Sequence, residues 1–197
     1  MFRQTRGFAW VLVGVAAGIL LAGQGCRPSS PSPSPQPDSA SAPTQSEASA
    51  PKEDITLRVI DENDFAQILA QKRGSVVLVD YWATWCPACV ELFPHTLELA
   101  EKWKDRGLVV ISLSFDDPDD YDRVLERLKR FGARIENYLV KYGASQKSIE
   151  AFDITHGALP HYKLYDREGN LYKVLASGGP AIKPETIDEA VEELLSK

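Results

Sequence analysis

The chain has 197 residues, of which 44% are hydrophobic and 25% charged, and this composition excludes a collagen-like chain or one disordered over most of its length. Its net charge is −6 at pH 7, and it has no run of lysines and arginines that could neutralise nucleic-acid phosphates, so no nucleic-acid partner is predicted. Roughly the last 145 residues look able to fold, which is the usual size of one domain.

The first 26 residues have the pattern of an export signal. Two arginines precede an uncharged stretch at residues 7–26, the order in which a basic and an apolar region follow each other in a signal peptide. The stretch ends in the letters LAGQGC, which resemble a bacterial lipoprotein signal, although a glycine stands where leucine is usual. We predict a signal peptide over residues 1–26 with lipidation at Cys26. An uncleaved anchor is the alternative, because about 20 uncharged residues can span a bilayer.

The next segment, residues 27–53, is predicted to be a disordered tether. It holds seven of the thirteen prolines, many serines and alanines, and no large apolar residue, so it cannot bury a core. Because the positive charges come before the apolar stretch, the positive-inside tendency places the rest of the chain outside the cytoplasm. We therefore predict that residues 54–197 form an extracytoplasmic domain attached to a membrane through the lipid or the anchor.

In the first half of this domain, β-rich runs alternate with helical periodicity. The predicted elements are a strand at 55–60, a helix at 64–72, a strand at 75–82, a helix at 87–106 and a strand at 108–113. The run at 75–82 is nearly continuously apolar and β-branched, as in a strand whose two faces are both covered. The succession of strand, helix and strand predicts a right-handed parallel unit.

The second half contains an insertion and a hairpin. A helix with apolar residues at 124, 125, 128 and 131 follows an acidic loop at 116–120, and a strand near 138–140 and a helix around 148–152 come next. After Pro160, runs at 161–165 and 171–176 flank a glycine-containing turn and predict a β-hairpin. An amphipathic helix at 187–195 is the last predicted element.

Cysteine usage points to redox chemistry. The chain has three cysteines; Cys26 belongs to the export signal, and Cys86 and Cys89 form a single C-x-x-C pair. In an oxidising compartment, one such pair is better explained by thiol-disulfide exchange than by structural stapling. A structural pair or half of a zinc site is the alternative, although no second C-x-x-C completes four zinc ligands. No metal site and no cofactor are predicted.

The pair lies where a strand gives way to a helix, with Pro87 at the first helical position. Free backbone N–H groups and the positive end of the helix dipole favour the thiolate of Cys86, and Cys89 follows one turn later on the same side. Exchange needs an attacking thiolate and a second thiol that resolves the mixed disulfide. Cys86 is the predicted nucleophile and Cys89 the predicted resolving cysteine.

The segment VDYWATWCPAC at residues 79–89 closely resembles the active-site strand and helix of the thioredoxin superfamily. The insertion and the Ala-Leu-Pro sequence before the hairpin resemble the TlpA/ResA branch of membrane-tethered thioredoxin-like proteins, over residues 55–197. The resemblance implies an α/β thioredoxin-like fold, with a central mixed sheet flanked by helices and a helix-strand insertion before a cis-proline hairpin. It also implies a thiol-disulfide oxidoreductase acting on exported proteins, and a role as a reductant in cytochrome c maturation.

The resemblance also assigns roles to further residues. Asp80 matches a buried acid that accepts the proton of the resolving thiol, and burial in an apolar strand should raise its pKa. Pro160 matches a cis-proline facing the disulfide, with Leu159 free to pair with a substrate strand. Trp85 is predicted to shape the docking surface, and the other tryptophan of the motif, Trp82, to pack in the core.

His161 follows the predicted cis-proline. Close to Cys86, a protonated imidazole would stabilise the thiolate and a neutral one could bind a metal, but a solvent-facing position on the strand is the prediction.

Two departures leave the direction of exchange open. Leu92 stands where this branch often has a glutamate, and the proline of the motif follows the first cysteine rather than preceding the second. The rival functions are a Sco-like copper-binding chaperone, because thiolates suit Cu(I), and a non-catalytic thioredoxin-like adaptor. The spacing of two residues between the cysteines, together with Asp80, favours redox exchange.

Overall fold

A computed structural model describes residues 54–176 and 181–197. The predicted signal peptide with Cys26, the alternative anchor and the tether lie outside the described residues. Within the described ranges, no helix is both long enough and apolar enough to cross a membrane.

The helices and strands follow the predicted order. The strands are β1 (Arg58–Ile60), β2 (Val76–Trp82), β3 (Leu108–Ser114), β4 (Glu136–Val140), β5 (His161–Tyr165) and β6 (Leu171–Ala176). The helices are α1 (Glu62–Gln71), α2 (Pro87–Trp103), α3 (Tyr121–Phe131), α4 (Gln146–Ala151) and α5 (Pro184–Leu195). A 3-10 turn extends α2 to Gly107, whose φ of 85° in the left-handed region ends the helical segment.

The strands of the described residues form one mixed sheet in the order β1-β4-β3-β2-β5-β6. The first four strands in that order pair in parallel. β5 pairs antiparallel with β2, and β6 pairs antiparallel with β5. The predicted parallel unit is confirmed, since β2 and β3 pair in parallel and α2 connects them. The predicted insertion contributes β4 to the interior of the sheet, between β1 and β3. β1 begins at Arg58 rather than at residue 55, and its pairing with β4 runs from Arg58 to Ile60.

The central strand β2 is buried along its whole length, as its continuous apolar sequence predicts. Successive side chains of a strand point to opposite faces of the sheet. On one face, Leu78 belongs to an apolar cluster with residues of α2 and α5. On the other face, the ring of Tyr81 packs edge-on against Phe65 of α1 at 6.4 Å between centroids. Helices therefore cover both faces of the sheet, and the carboxyl end of β2 leads directly into the cysteine pair.

Candidate active site

Cys86 and Cys89 form a disulfide at the start of α2, with their Cα atoms 5.3 Å apart. Cys86 is the residue that caps α2, and its Sγ accepts a hydrogen bond from the backbone N–H of Cys89 at 3.2 Å. Pro87 occupies the first turn, as predicted. Cys86 keeps 7% of its surface exposed and Cys89 only 1%, so a partner sulfur approaching from solvent meets Cys86 first.

Asp80 lies six residues before Cys86, in the middle of the sheet, with 1% of its surface exposed. Its Oδ2 accepts a hydrogen bond of 2.7 Å from the hydroxyl of Thr96, whose Oγ1 lies 3.3 Å from the hydroxyl oxygen of Tyr162. No group of the described residues hydrogen-bonds its Oδ1. Burial raises the pKa of Asp80 from 3.8 to about 7, and the hydroxyl of Thr96 and, to a smaller extent, that of Tyr162 oppose that shift. Both the burial and the raised pKa agree with the sequence prediction.

The periodicity of α2 connects Asp80 with the cysteine pair. Cys89 and Thr96 are seven residues apart, which is close to two full turns, so both side chains lie on the same side of the helix. Both are buried, and Thr96 touches Asp80. The side of α2 that carries Cys89 and Thr96 is therefore the side that meets Asp80. Sequence analysis missed Thr96, although its spacing from Cys89 was a usable signal.

The bond between Leu159 and Pro160 is cis, as the resemblance implied. Pro160 is buried and immediately precedes β5, whose first residue, His161, pairs with Tyr81 near the end of β2. The sheet register therefore places Pro160 at the same edge of the sheet as the cysteine turn. Leu159 is half-buried.

The two tryptophans of the motif have different environments, as predicted. Trp82 is fully buried, and its ring packs against Phe93 of α2 at 4.6 Å and Phe131 of α3 at 6.3 Å between centroids. Trp85 has 54% of its surface exposed and lies directly beside Cys86. An exposed indole beside Cys86 is suited to contact a protein partner.

The prediction that His161 faces solvent is wrong, because the structure buries it completely. β5 lies between β2 and β6, and the ring of Tyr81 packs edge-on against the imidazole at 5.5 Å. On the same side of β5, the ammonium of Lys163 donates to the carbonyl oxygen of Phe152 at 3.0 Å, so the end of α4 covers this face. Burial, together with the charge of Lys163, lowers the pKa of His161 from 6.5 to about 4, and the imidazole is neutral at pH 7.

Asp116 is a second residue at this edge that sequence analysis did not single out. It follows β3 by two residues, is fully buried, and accepts a hydrogen bond of 2.8 Å from the backbone N–H of Thr84 in the turn before Cys86. The available signal was its position just after an apolar strand predicted to lie next to the strand of the motif. Within residues 54–176 and 181–197, no group of three or more His, Cys, Asp or Glu side chains is arranged to hold a metal ion.

The sequence of the folded domain matches a known protein family. A model of the AhpC/TSA family matches residues 49–174, more than half of the chain. The chain belongs to the AhpC/TSA family. Its relatives include ResA proteins, which agrees with the resemblance seen in the motif. It is 29% identical over 103 residues to thiol-disulfide oxidoreductase ResA of Bacillus thuringiensis strain Al Hakam, which covers 52% of this chain and 56% of that protein.

A second ResA relative, from Bacillus thuringiensis subsp. konkukian, is 28% identical over 127 residues, which is 64% of each chain. The chain described here therefore spans somewhat more than half of the length of these two relatives.

Solved structures confirm the predicted fold class. A thiol:disulfide interchange protein of the thioredoxin family from Chlorobium tepidum TLS superposes with a TM-score of 0.51 at 25% identity, covering 64% of this chain and 83% of that one. The thioredoxin domain of a thiol-disulfide oxidoreductase from Bacteroides vulgatus superposes with a TM-score of 0.52 at 22% identity, covering 64% and 84%. The mixed sheet flanked by helices is therefore a thioredoxin-like fold.

Proposed function

We propose that this member of the AhpC/TSA family is a thiol-disulfide oxidoreductase whose redox centre is the pair Cys86 and Cys89. The observation that carries the proposal is the bonded cysteine pair at the start of α2, with Cys86 nearer the surface and its Sγ held by a backbone N–H. Relatives that bear the name thiol-disulfide oxidoreductase support it.

In the direction of substrate reduction, the dithiol form of the protein begins the reaction. The thiolate of Cys86 attacks a disulfide of the substrate, forms a mixed disulfide and releases one substrate thiolate. Cys89 then loses its proton and attacks Sγ of Cys86, which closes the protein's own disulfide and releases the second substrate thiolate. Two electrons pass from the protein to the substrate, and the same steps in reverse oxidise a substrate dithiol.

Asp80 is the proposed proton acceptor for Cys89. A carboxylate with an ordinary pKa would be a weak base toward a thiol, whereas a pKa near 7 brings the two groups closer together in proton affinity. Its Oδ1, which no described group hydrogen-bonds, is the oxygen available for the proton. Protonated Asp80 would return the proton to Cys89 when the reaction runs in reverse.

The proposed substrates are exported proteins that carry exposed thiols or disulfides. Trp85 supplies the exposed apolar surface beside Cys86, and Leu159 and Pro160 form the opposing edge at the start of β5. No cofactor is needed, because the electrons come from and return to protein thiols.

The proposed location is outside the cytoplasm, at a membrane. Lipidated Cys26 or an uncleaved apolar segment at residues 7–26 would hold the chain, and the proline-rich residues 27–53 would act as a tether. In that location, we propose that the protein acts as a reductant in cytochrome c maturation, as the resemblance to the ResA branch implies.

The test is substrate trapping with the full-length chain. Cys89→Ser should accumulate mixed disulfides with exported proteins, because the resolving thiol is gone, whereas the matched variant Cys86→Ser should trap none. A reduction potential near −270 mV would identify a reductant, and one near −120 mV an oxidant. Failure of Cys89→Ser to trap any partner, together with one copper ion bound per chain, would contradict the proposal and favour the copper chaperone.

A further inference from the structure

Asp116 is a buried carboxylate for which the proposed exchange mechanism has no role. It lies at the carboxyl end of β3, and β3 pairs with β2, so it sits beside the turn that leads from β2 into the cysteine pair. Its side chain is fully buried. A carboxylate buried away from water needs hydrogen-bond donors, and the identity of these donors shows which segments of the chain it holds together.

Four hydrogen bonds end on this carboxylate. Oδ2 accepts from the backbone N–H of Thr84 at 2.8 Å and from the hydroxyl of Ser114 at 2.7 Å. Oδ1 accepts from the hydroxyl of Thr84 and from Nη2 of Arg123 at 3.1 Å. Two of the four bonds therefore go to a single residue, Thr84, and the other two anchor the carboxylate to β3 and α3.

Thr84 is the second residue of the turn that presents Cys86. The turn is closed by the backbone N–H of Cys86, which donates to the carbonyl oxygen of Ala83 at 3.1 Å. Cys86 then caps α2, with its Sγ 3.2 Å from the N–H of Cys89. The backbone N–H and the side-chain hydroxyl of Thr84 both bond Asp116, and we call these two bonds the clamp. The clamp thus fixes the residue that lies two positions before Cys86.

We propose that Asp116 is a positioning residue for Cys86. By holding Thr84 at two points, it keeps the turn in the conformation that places Sγ of Cys86 against the N-terminal N–H groups of α2. Those N–H groups stabilise a thiolate, so the clamp increases the fraction of reactive Cys86. The inference rests on the proposed function, in which Cys86 is the attacking cysteine.

Charge and position have opposite effects here. The negative charge of Asp116, taken alone, disfavours a nearby thiolate, so its removal would make Cys86 more reactive. Loss of the clamp would make Cys86 less reactive, because Sγ moves away from the helix N-terminus. The sign of the change in Asp116→Asn therefore decides whether the carboxylate acts by positioning.

The experiment measures alkylation of Cys86 by iodoacetamide as a function of pH, in the full-length reduced chain carrying Cys89→Ser. We expect Asp116→Asn to lower the rate at pH 7 about fivefold and to move the midpoint of the pH profile upward by somewhat less than one unit. An unchanged or faster rate would overturn the inference.

Two further variants keep the test decisive. Ser112→Ala removes a buried hydroxyl of β3 that bonds Asn137 and not Asp116, and it should leave the profile of the parent unchanged. Thr84→Val removes the side-chain bond but keeps the backbone bond, and it should slow alkylation about twofold. If Asp116→Asn does not fold, Thr84→Val decides, and a rate equal to that of Ser112→Ala overturns the inference. Alkylation reports on Cys86 alone, so failure of substrate trapping in the parent is recognised separately.

Discussion

Asp80 of β2 and Asp116, which follows β3, are two buried carboxylates with contrasting surroundings. Asp80 accepts one hydrogen bond at Oδ2, and no described group bonds its Oδ1. Asp116 accepts two hydrogen bonds on each oxygen, one of them from the guanidinium of Arg123. A poorly partnered acid with a raised pKa can take up a proton, whereas a fully partnered acid holds the chain in place. In the roles proposed here, the same residue type serves chemistry or architecture according to its donors.

The strongest test of this contrast is Asp80→Asn. The folded-state pKa of about 7 lies above the ordinary 3.8, so the folded protein binds the extra proton and loses stability as the pH rises between these values. Removing the charge should therefore raise the free energy of unfolding at pH 8 by about 4 kcal/mol and have little effect near pH 4. Urea unfolding of the oxidised protein at both pH values measures the difference.

Asp116→Asn is the matched control for that variant. Its loss of acceptor capacity leaves buried donors without partners, so it should lower the free energy of unfolding by about 2 kcal/mol. A stabilising effect of Asp116→Asn at pH 8, or a destabilising effect of Asp80→Asn, would remove the distinction between the two acids.

His161 sharpens the comparison, because it is a buried titratable group whose ring nitrogens have no partner among the described residues. Its pKa of about 4 lies below the ordinary 6.5, so the unfolded chain binds the extra proton and stability rises with pH between these values. His161→Leu should therefore gain about 3 kcal/mol more at pH 4 than at pH 7.5, relative to the parent. Urea unfolding at the two pH values checks this, with Asp80→Asn, whose gain appears at high pH, as the contrasting variant.

The two groups oppose each other in the parent protein. Between about pH 4 and 6.5, Asp80 lowers stability as the pH rises and His161 increases it. A pH-independent difference between His161→Leu and the parent would show that His161 does not titrate in this window.

The smallest expected effect is that of Thr96→Val. The hydroxyl of Thr96 lowers the pKa of Asp80, so its loss should raise that pKa further, by about one unit. The difference in stability between the protein with Asp80 and the Asp80→Asn variant depends on pH. In the Thr96→Val background, the midpoint of this pH dependence should move to higher pH. Thr96→Ser keeps the hydroxyl and should keep the original midpoint; a shift in Thr96→Ser as large as in Thr96→Val would mean that packing, not the hydrogen bond, sets the pKa.

Local pattern was sufficient to predict the elements and several site residues. The continuous apolar run predicted that β2, and Asp80 within it, is buried, and the position of Pro87 predicted the start of α2. The cis bond before Pro160 followed from the resemblance of the motif and its order along the chain. Each of these features depends on neighbours in sequence or on a motif with fixed spacing.

The residues that were missed depend on contacts between distant segments. Thr96 matters because α2 lies on the face of β2 that carries Asp80, and Asp116 matters because the parallel pairing of β2 with β3 brings it beside Thr84. His161 was wrongly placed in solvent because its burial depends on the place of β5 inside the sheet and on the end of α4, which the pattern of β5 itself does not show.

The sequence by itself determined the thioredoxin-like order of elements and the cysteine pair at the head of a helix, because strand and helix periodicity and the C-x-x-C motif are written in consecutive residues. The tertiary structure alone decided which buried acid is left with an unpartnered oxygen and which is saturated with donors. That distinction depends on hydrogen bonds between segments tens of residues apart, such as the bond from Thr84 to Asp116, and these bonds exist only once the sheet has brought the strand ends together.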